Sequence, residues 1–589
     1  MWIRNNIGKF ERWRTTHLSD RSFILILSVI IGFLVGTAAV IIKNCVHYIQ
    51  EFTNFLAESY THYLYIIFPT IGIFLVVVFI KYINKHPVRH GIPSVLYAIS
   101  KTNGRIKRHN LYSSIVTSAF TVGFGGSVGL EGPTVATGAA IGSNIGKVLN
   151  MNYKQIILML GCASAGAMAA IFKAPITAVV FALEVIMLDL TMTSVVPLLI
   201  SSSVAVLTSY YFLGQNVLYK VNLTDDFALA DMPYFILLGI LTGFISLYFT
   251  RTYKRINNIF DKLKRNYSKW ITGSITLGIL IYILPSLYGE GYTIINRSLN
   301  ADSSFLFEES LFENFSNSFW IMIALFLATI FLKVIATSIT FSSGGVGGVF
   351  APTLFLGANT GLCFAKLANH LGFEISQTNF ALVGMAGMIS GVIHAPLTAI
   401  FLIAEITGGY VLIVPLMVTA TISYATIKIF EKNSVYTFQL AERGELITHD
   451  KDKAVLKLMK MEGLIEKDFL KVHEDNTLGD LVKVVARSKR NVFPVVDHHN
   501  NLVGVLTLND IRKVMFHPEL YNTIYVRNIM YFPEHYVTYE HTIEEIAEII
   551  ETSGRYNIPV LRDGKYVGFL SRAKVFSTYR QMLKDFSED

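Results

Sequence analysis

The chain has 589 residues, of which 52% are hydrophobic and only 16% charged, and it carries a net charge of +8. With a positive mean hydropathy, that balance excludes an ordinary soluble enzyme and points to a protein that lies mostly in a membrane. The positive charge reflects membrane orientation; the folds and motifs of nucleic-acid binding are absent, and no nucleic-acid partner is expected.

Residues 1–21 hold five Lys or Arg ahead of the first apolar run, and no small-residue cleavage site follows that run. They read as a retained cytoplasmic tail, not a signal peptide. Apolar runs then recur from "SFILILSVIIGFLVGTAAVII" (Ser22 to Ile42) through "YFILLGILTGFISLYF" (Tyr234 to Phe249) to "VLIVPLMVTATISYATIKIF" (Val411 to Phe430). Hydropathy windows predict about ten to a dozen such segments. Many are interrupted by Gly or Pro, so a number of them enter the membrane without crossing it cleanly, which is tolerated only where free backbone groups are buried or line a cavity. The basic stretch Arg251 to Lys269 is expected as a cytoplasmic loop and the acidic stretch Gly289 to Phe315 as an external one. Cys45, Cys162 and Cys363 sit in or beside apolar segments at no ligand spacing and read as small buried residues.

The stretch "GGSVGLEGPTVATG" (Gly125 to Gly138) places one carboxylate, Glu131, among glycines and small apolar residues. It belongs to an internal repeat. "GPTVATGAAIG" from Gly132 matches "APTLFLGANTG" from Ala351 at an offset of 219, and "APITAVVFALEV" from Ala174 matches "APLTAIFLIAEI" from Ala395 at an offset of 221, making Glu184 and Glu405 equivalent. Such repeats, expected here to be inverted, place a substrate site at their interface, where interrupted helices point their ends inward. "GLEGP", "GVFAP" (Gly348 to Pro352) and "HGIPSV" each set Gly and Pro where a helix would begin. A helix N-terminus buried away from water has unpaired N–H groups and favours an anion. Glu131 then reads as a tethered anion competing for that position and leaving when protonated; the alternative is a carboxylate that caps its own helix.

These residues resemble the CLC family of chloride channels and chloride/proton antiporters. "GLEGP" is similar to the family's G-[KR]-E-G-P motif, "GVFAP" to G-x-F-x-P, "HGIP" to G-S-G-I-P, and "SVYTFQL" to the late segment with the site tyrosine, over roughly Ser22 to Leu440. The resemblance implies a homodimer with one chloride pathway per subunit. It places the gate at Glu131, site amides at Val349, Phe350, Gly91 and Ile92, and a site hydroxyl at Tyr436. Three departures stand out. His90 replaces the family's Ser, which makes it a candidate for gating or proton sensing as against pore lining or helix packing. Leu130 replaces Lys or Arg, which lowers the positive potential at the outer mouth. Val185 follows Glu184 where many antiporters have a second, proton-transferring Glu, as in the channel members. Glu184 and His90 are the remaining candidates for a proton path, with helix packing the competing reading for Glu184.

After Tyr436 the composition turns polar, and residues 441–467 read as a linker with a short helix. Two related units follow, 468–518 and 519–583, each with an amphipathic helix, a strand ending near Pro494 or Pro559, a turn, a strand and a helix. They resemble a pair of CBS domains. The resemblance implies an adenine-nucleotide site at Thr507 and Asp510 in a T-x-x-D pattern, whereas the second unit reads "SRAK", with Lys574 in place of the acid. A structural dimerisation role is the alternative.

The sequence is thus read as an α-helical polytopic membrane protein whose inverted CLC-like repeats span about 22–230 and 231–440, followed by a cytoplasmic α/β CBS pair, with both termini cytoplasmic. The expected function is passive or gated chloride transport with Glu131 as gate, under CBS control and without a required cofactor. The alternative is proton-coupled chloride antiport. A membrane enzyme is remote, because no H-E-x-x-H, G-x-S-x-G or Walker motif carries it.

Overall fold

The computed structural model describes residues 14, 16–59, 63–88, 91–186, 192–215, 219, 227–263, 265–308, 310–442, 459 and 461–587. The chain divides into two compact units, Met1–Leu446 and Ile447–Asp589.

The described part of the first unit is mainly helical. Among the described residues seven helices are long and apolar enough to cross a membrane, including Asp20–Ser59, Tyr153–Phe172, Leu229–Asp261 and Phe319–Ser342. With three shorter apolar helices the described residues hold ten apolar helices, in line with the expected ten to a dozen segments of which some do not cross cleanly. Pro175–Glu184, Gln377–Ile393 and Pro396–Ile406 are apolar but have only 10 to 17 residues, and at about 1.5 Å per residue they fall short of a bilayer core. The outer helices turn Phe33, Leu207, Ile275 and Trp320 outward, as a lipid-facing surface requires. Part of the expected cytoplasmic loop is also helix: Met232–Asp261 continues through Arg251 and Lys254, because its 30 residues outrun the apolar layer and emerge as a charged extension.

The repeat seen in sequence is a physical pseudo-two-fold. Gly129 N–H donates to the Gly348 carbonyl at 2.8 Å, and Gly348 N–H donates back to the Gly129 carbonyl at 2.7 Å, an antiparallel bridge between equivalent positions. Ser127 N–H donates to Thr340 Oγ1 and Val346 N–H to Thr121 Oγ1, at 3.3 and 3.0 Å, again a reciprocal pair. Lys173 and His394, both in the left-handed region at φ 58° and 62°, end the helices Tyr153–Phe172 and Gln377–Ile393. Small residues let the central helices press together: a Cβ on Gly142 would fall 2.3 Å from the Met159 carbonyl, and one on Gly361 2.0 Å from that of Phe380. Close backbone approach of this kind is how helices associate where lipid leaves no hydrophobic driving force.

The second unit contains two small sheets. One has the order β2 (Val472–His473), β3 (Val492–Val496), β4 (Leu502–Thr507); the other runs β1 (Ile465–Glu466), β7 (Lys565–Ser571), β6 (Asn557–Arg562), β5 (Val537–Thr538). Two sequence expectations change here. Residues 465–466, assigned to the linker, form an edge strand on the sheet of the second repeat, with Ile465 opposite Leu570; residues 443–458 and 460 of that linker lie outside the described residues. Pro494 and Pro559 sit within β3 and β6, not at their ends, each one residue before the parallel partner begins at Val495 and Val560. A missing N–H is tolerated there because no ladder bond is required of it on that side.

Candidate anion site and gate

Three helix starts meet where the two halves join. The helices Gly91–Lys101, Glu131–Val148 and Phe350–His370 approach so closely that a Cβ on Gly91 would lie 2.7 Å from Gly132 Cα. One on Gly348 would lie 2.8 Å from Gly132 N. Only glycine permits this convergence, and it concentrates unpaired N–H groups and helix dipoles in one small volume. Ile92, Val349 and Phe350 are all buried at this point, and the Phe350 ring packs 5.1 Å from that of Phe172.

Glu131, the first residue of its helix, is wholly buried. Its Oε2 has no hydrogen-bond partner and lies over the glycine bridge, 3.3 Å from where a Cβ on Gly348 would stand. The amides of Glu131 itself and of Ala351, one from each repeat, face the carboxylate. Its Oε1 accepts a hydrogen bond from the Tyr292 hydroxyl. The Tyr436 hydroxyl, buried and without a partner, is within Coulombic reach of the same carboxylate. The structure therefore brings Gly91, Ile92, Glu131, Val349 and Phe350 together, and it leaves the buried Tyr436 hydroxyl with a free donor. His90 lies outside the described residues.

Glu184 has a different place. Its carboxylate accepts from the N–H of Leu397 at 3.0 Å and from the N–H and Oγ1 of Thr398, both at 2.7 Å. Glu405 does the same for Ile176 and Thr177, at 3.1, 2.9 and 2.7 Å. Each short helix, Pro175–Glu184 and Pro396–Ile406, thus has its N-terminus capped by the carboxylate at the far end of the other. Val185 beyond Glu184 is buried and apolar.

Sequence reasoning missed the group that touches Glu131. Gly289 to Phe315 was expected as an external loop, yet its first part folds back onto the Glu131 segment. Gly289 N–H donates to the Gly125 carbonyl at 2.9 Å, and Leu130 N–H donates to Glu290 Oε1 at 3.1 Å. The helix Tyr292–Leu299 opens at Tyr292. Lys333, fully buried, donates to the carbonyls of Leu287 and Gly289 at 3.2 and 2.9 Å and so ties the turn down. The available signals were "GEGY" itself, an acid flanked by glycines, and a lone Lys in the apolar run "ATIFLKVIATS".

In the second unit Thr507 donates through its backbone N–H and Oγ1 to Asp510 Oδ2, at 2.9 and 2.6 Å, closing a capping box on the helix Leu508–Arg512. In the other repeat Ser571 donates to Glu466 of β1, and Glu466 is paired with Arg490 at 2.5 Å. The acid missing at Lys574 is thus supplied from another strand and already engaged. Among the described residues no cluster of His, Cys, Asp and Glu suits a metal ion.

Comparison with known proteins agrees with this arrangement. The H(+)/Cl(-) exchange transporter ClcA of Vibrio cholerae serotype O1 is 29% identical over 415 residues, covering 67% of this chain and 84% of its own. The chloride channel protein CLC-f of Arabidopsis thaliana is 24% identical over 486 residues, covering 72% and 61%. The crystal structure of a slow cyanobacterial Cl-/H+ antiporter shares the fold with a TM-score of 0.62 at 23% identity, over 73% of this chain and 99% of that one. That of a eukaryotic CLC transporter gives 0.60 at 17% identity, over 93% and 98%. The CBS domain model matches residues 462–517 and 526–580. Because the voltage gated chloride channel model matches residues 71–428, well over half of its length, the chain belongs to that family.

Proposed function

We propose that the protein carries chloride across a membrane along a path between the N-termini of the Gly91, Glu131 and Phe350 helices. Glu131 gates it by occupying an anion position until protonation releases it. The observation that carries this reading is a wholly buried carboxylate with one unpartnered oxygen, set over the glycine bridge where three helix starts converge. Backbone amides, among them those of Gly91, Ile92, Val349 and Phe350, and the free Tyr436 hydroxyl supply the donors that replace water around the ion. The test is chloride efflux from liposomes as a function of external pH. The parent is expected to open as external pH falls, and Glu131→Gln, a neutral isostere of the protonated gate, to be insensitive to pH. A mutant that follows pH as the parent does refutes the gate.

Proton coupling is proposed to be weak, so that the protein works as a gated channel or a poorly coupled exchanger. Glu184 is committed to capping a helix and Val185 offers no titratable group, so neither supplies a free relay at that position. The rival reading, full antiport, is favoured by the exchange transporters among the relatives. A chloride gradient imposed without a pH gradient separates the two: robust proton pumping at a fixed ratio to chloride, abolished by Glu131→Gln, replaces our reading with antiport. We further propose a homodimer with a path in each subunit, cytoplasmic termini, and adenine-nucleotide control through Thr507 and Asp510. Nucleotide added to the face carrying the second unit is then expected to change flux in the parent and not in Asp510→Ala.

A further inference from the structure

We infer that Tyr292 is a latch on the gate, a positioning residue whose hydroxyl holds the Glu131 carboxylate in its seated, ionised form. This rests on Glu131 being the gate.

Tyr292 is presented by a built turn. Gly289 and Gly291 both lie in the left-handed region, at φ 64° and 86°, and a Cβ on Gly291 would fall 2.5 Å from the Phe355 ring. Glycine at 291 lets the chain reverse and start a helix whose first side chain reaches Glu131 Oε1. Three further hydrogen bonds fix the turn: Gly289 N–H to the Gly125 carbonyl, and Lys333 to the carbonyls of Leu287 and Gly289. Behind Tyr292 stands Tyr219, its ring 5.9 Å away and its hydroxyl without a partner. The other charged and titratable groups facing Glu131 are Lys43 from the helix Asp20–Ser59, Glu290 from the same turn, and Tyr436. Among them Tyr292 makes a direct side-chain bond to the carboxylate, and Tyr292 and Glu290 are partly exposed where Glu131 is not.

A phenol donates to a carboxylate and gains most from the ionised form, since hydrogen bonds to charged groups are the stronger ones. While the bond lasts, protonation of Glu131 competes against it, so release requires a lower external pH. Removing the hydroxyl alone, in Tyr292→Phe, keeps the ring and its packing. A hydrogen bond to a charged group is worth enough to move the pH of half-maximal flux by about one unit.

The experiment measures chloride efflux from liposomes against external pH for the parent, Tyr292→Phe, Glu131→Gln and the double variant. The expected result is a half-maximal pH about one unit higher in Tyr292→Phe, with maximal flux at low pH unchanged, and a double variant as flat as Glu131→Gln. If Tyr292→Phe superimposes on the parent while Glu131→Gln is flat, the latch is overturned and the gate stands. If Tyr292→Phe still alters flux in the Glu131→Gln background, the tyrosine acts elsewhere and the latch is overturned. If Glu131→Gln keeps the parental profile, gate and latch fall together.

Discussion

The reciprocal caps at Glu184 and Glu405 make a quantitative prediction that also bears on proton movement. Each carboxylate accepts from two backbone N–H groups and one threonine hydroxyl at the N-terminus of the opposite short helix. One helix cap is worth about 1 kcal/mol, and hydrogen bonds to a charged acceptor about 1.5–3 kcal/mol. Because both residues are half-buried, removing either carboxylate is expected to cost about 2–4 kcal/mol. The pseudo-two-fold gives the two sites the same donors at nearly the same distances, so Glu184→Ala and Glu405→Ala should lower the thermal midpoint in detergent by similar amounts. Glutamine, which keeps an acceptor without its charge, should fall between alanine and the parent at both positions. The companion assay is simultaneous recording of chloride and protons in liposomes. Any proton movement that accompanies chloride should be unchanged in Glu184→Gln. The reasoning is refuted if only one alanine variant loses stability. It is equally refuted if Glu184→Gln abolishes proton movement while its thermal midpoint stays at the parental value, for then Glu184 works as a relay and not as a cap.

The glycine junction gives a sharper contrast. Gly348→Ala puts a methyl 2.8 Å from a backbone nitrogen that cannot yield, so loss of chloride flux or of folded protein is expected, whereas Gly409→Ala, with nothing within 4 Å, should leave flux and thermal midpoint as in the parent. Tyr436→Phe removes one neutral donor from a site made mostly of amides. Its chloride affinity by isothermal titration should drop only about two- to tenfold, and either complete loss or no change contradicts that division.

How legible this molecule is from its sequence depends on what each feature needs. Glycine, proline and charge in a short window suffice to mark the helix starts at Gly91, Glu131 and Phe350, and self-similarity at a fixed offset suffices for the repeat. That Glu184 and Glu405 exchange partners across the repeat is a tertiary fact with no local trace. The turn at Glu290 is harder still. Its place in the structure depends on Lys333, more than forty residues onward, so its acidity reads as surface until the fold supplies the cation. Boundaries in the second unit failed for the same reason, since β1 pairs with a strand a hundred residues later.

The two-fold turns these cases into a rule for locating function in this protein. Gly129 and Gly348, Thr121 and Thr340, Lys173 and His394, and Glu184 and Glu405 are equivalent positions in equivalent surroundings, and each pair shapes the scaffold. Glu131 breaks the pattern, for its mate at the offset of 219 is Phe350, which contributes an apolar ring to the core. The turn that holds it leads into the helix Tyr292–Leu299, which in chain order stands where Gly91–Lys101 stands in the first half. A symmetric scaffold has no structural need for a buried carboxylate on one side alone. In the reading proposed above, that asymmetry is held through the Tyr292 hydroxyl, where three helix starts converge, and it gives the scaffold a direction in its response to protons.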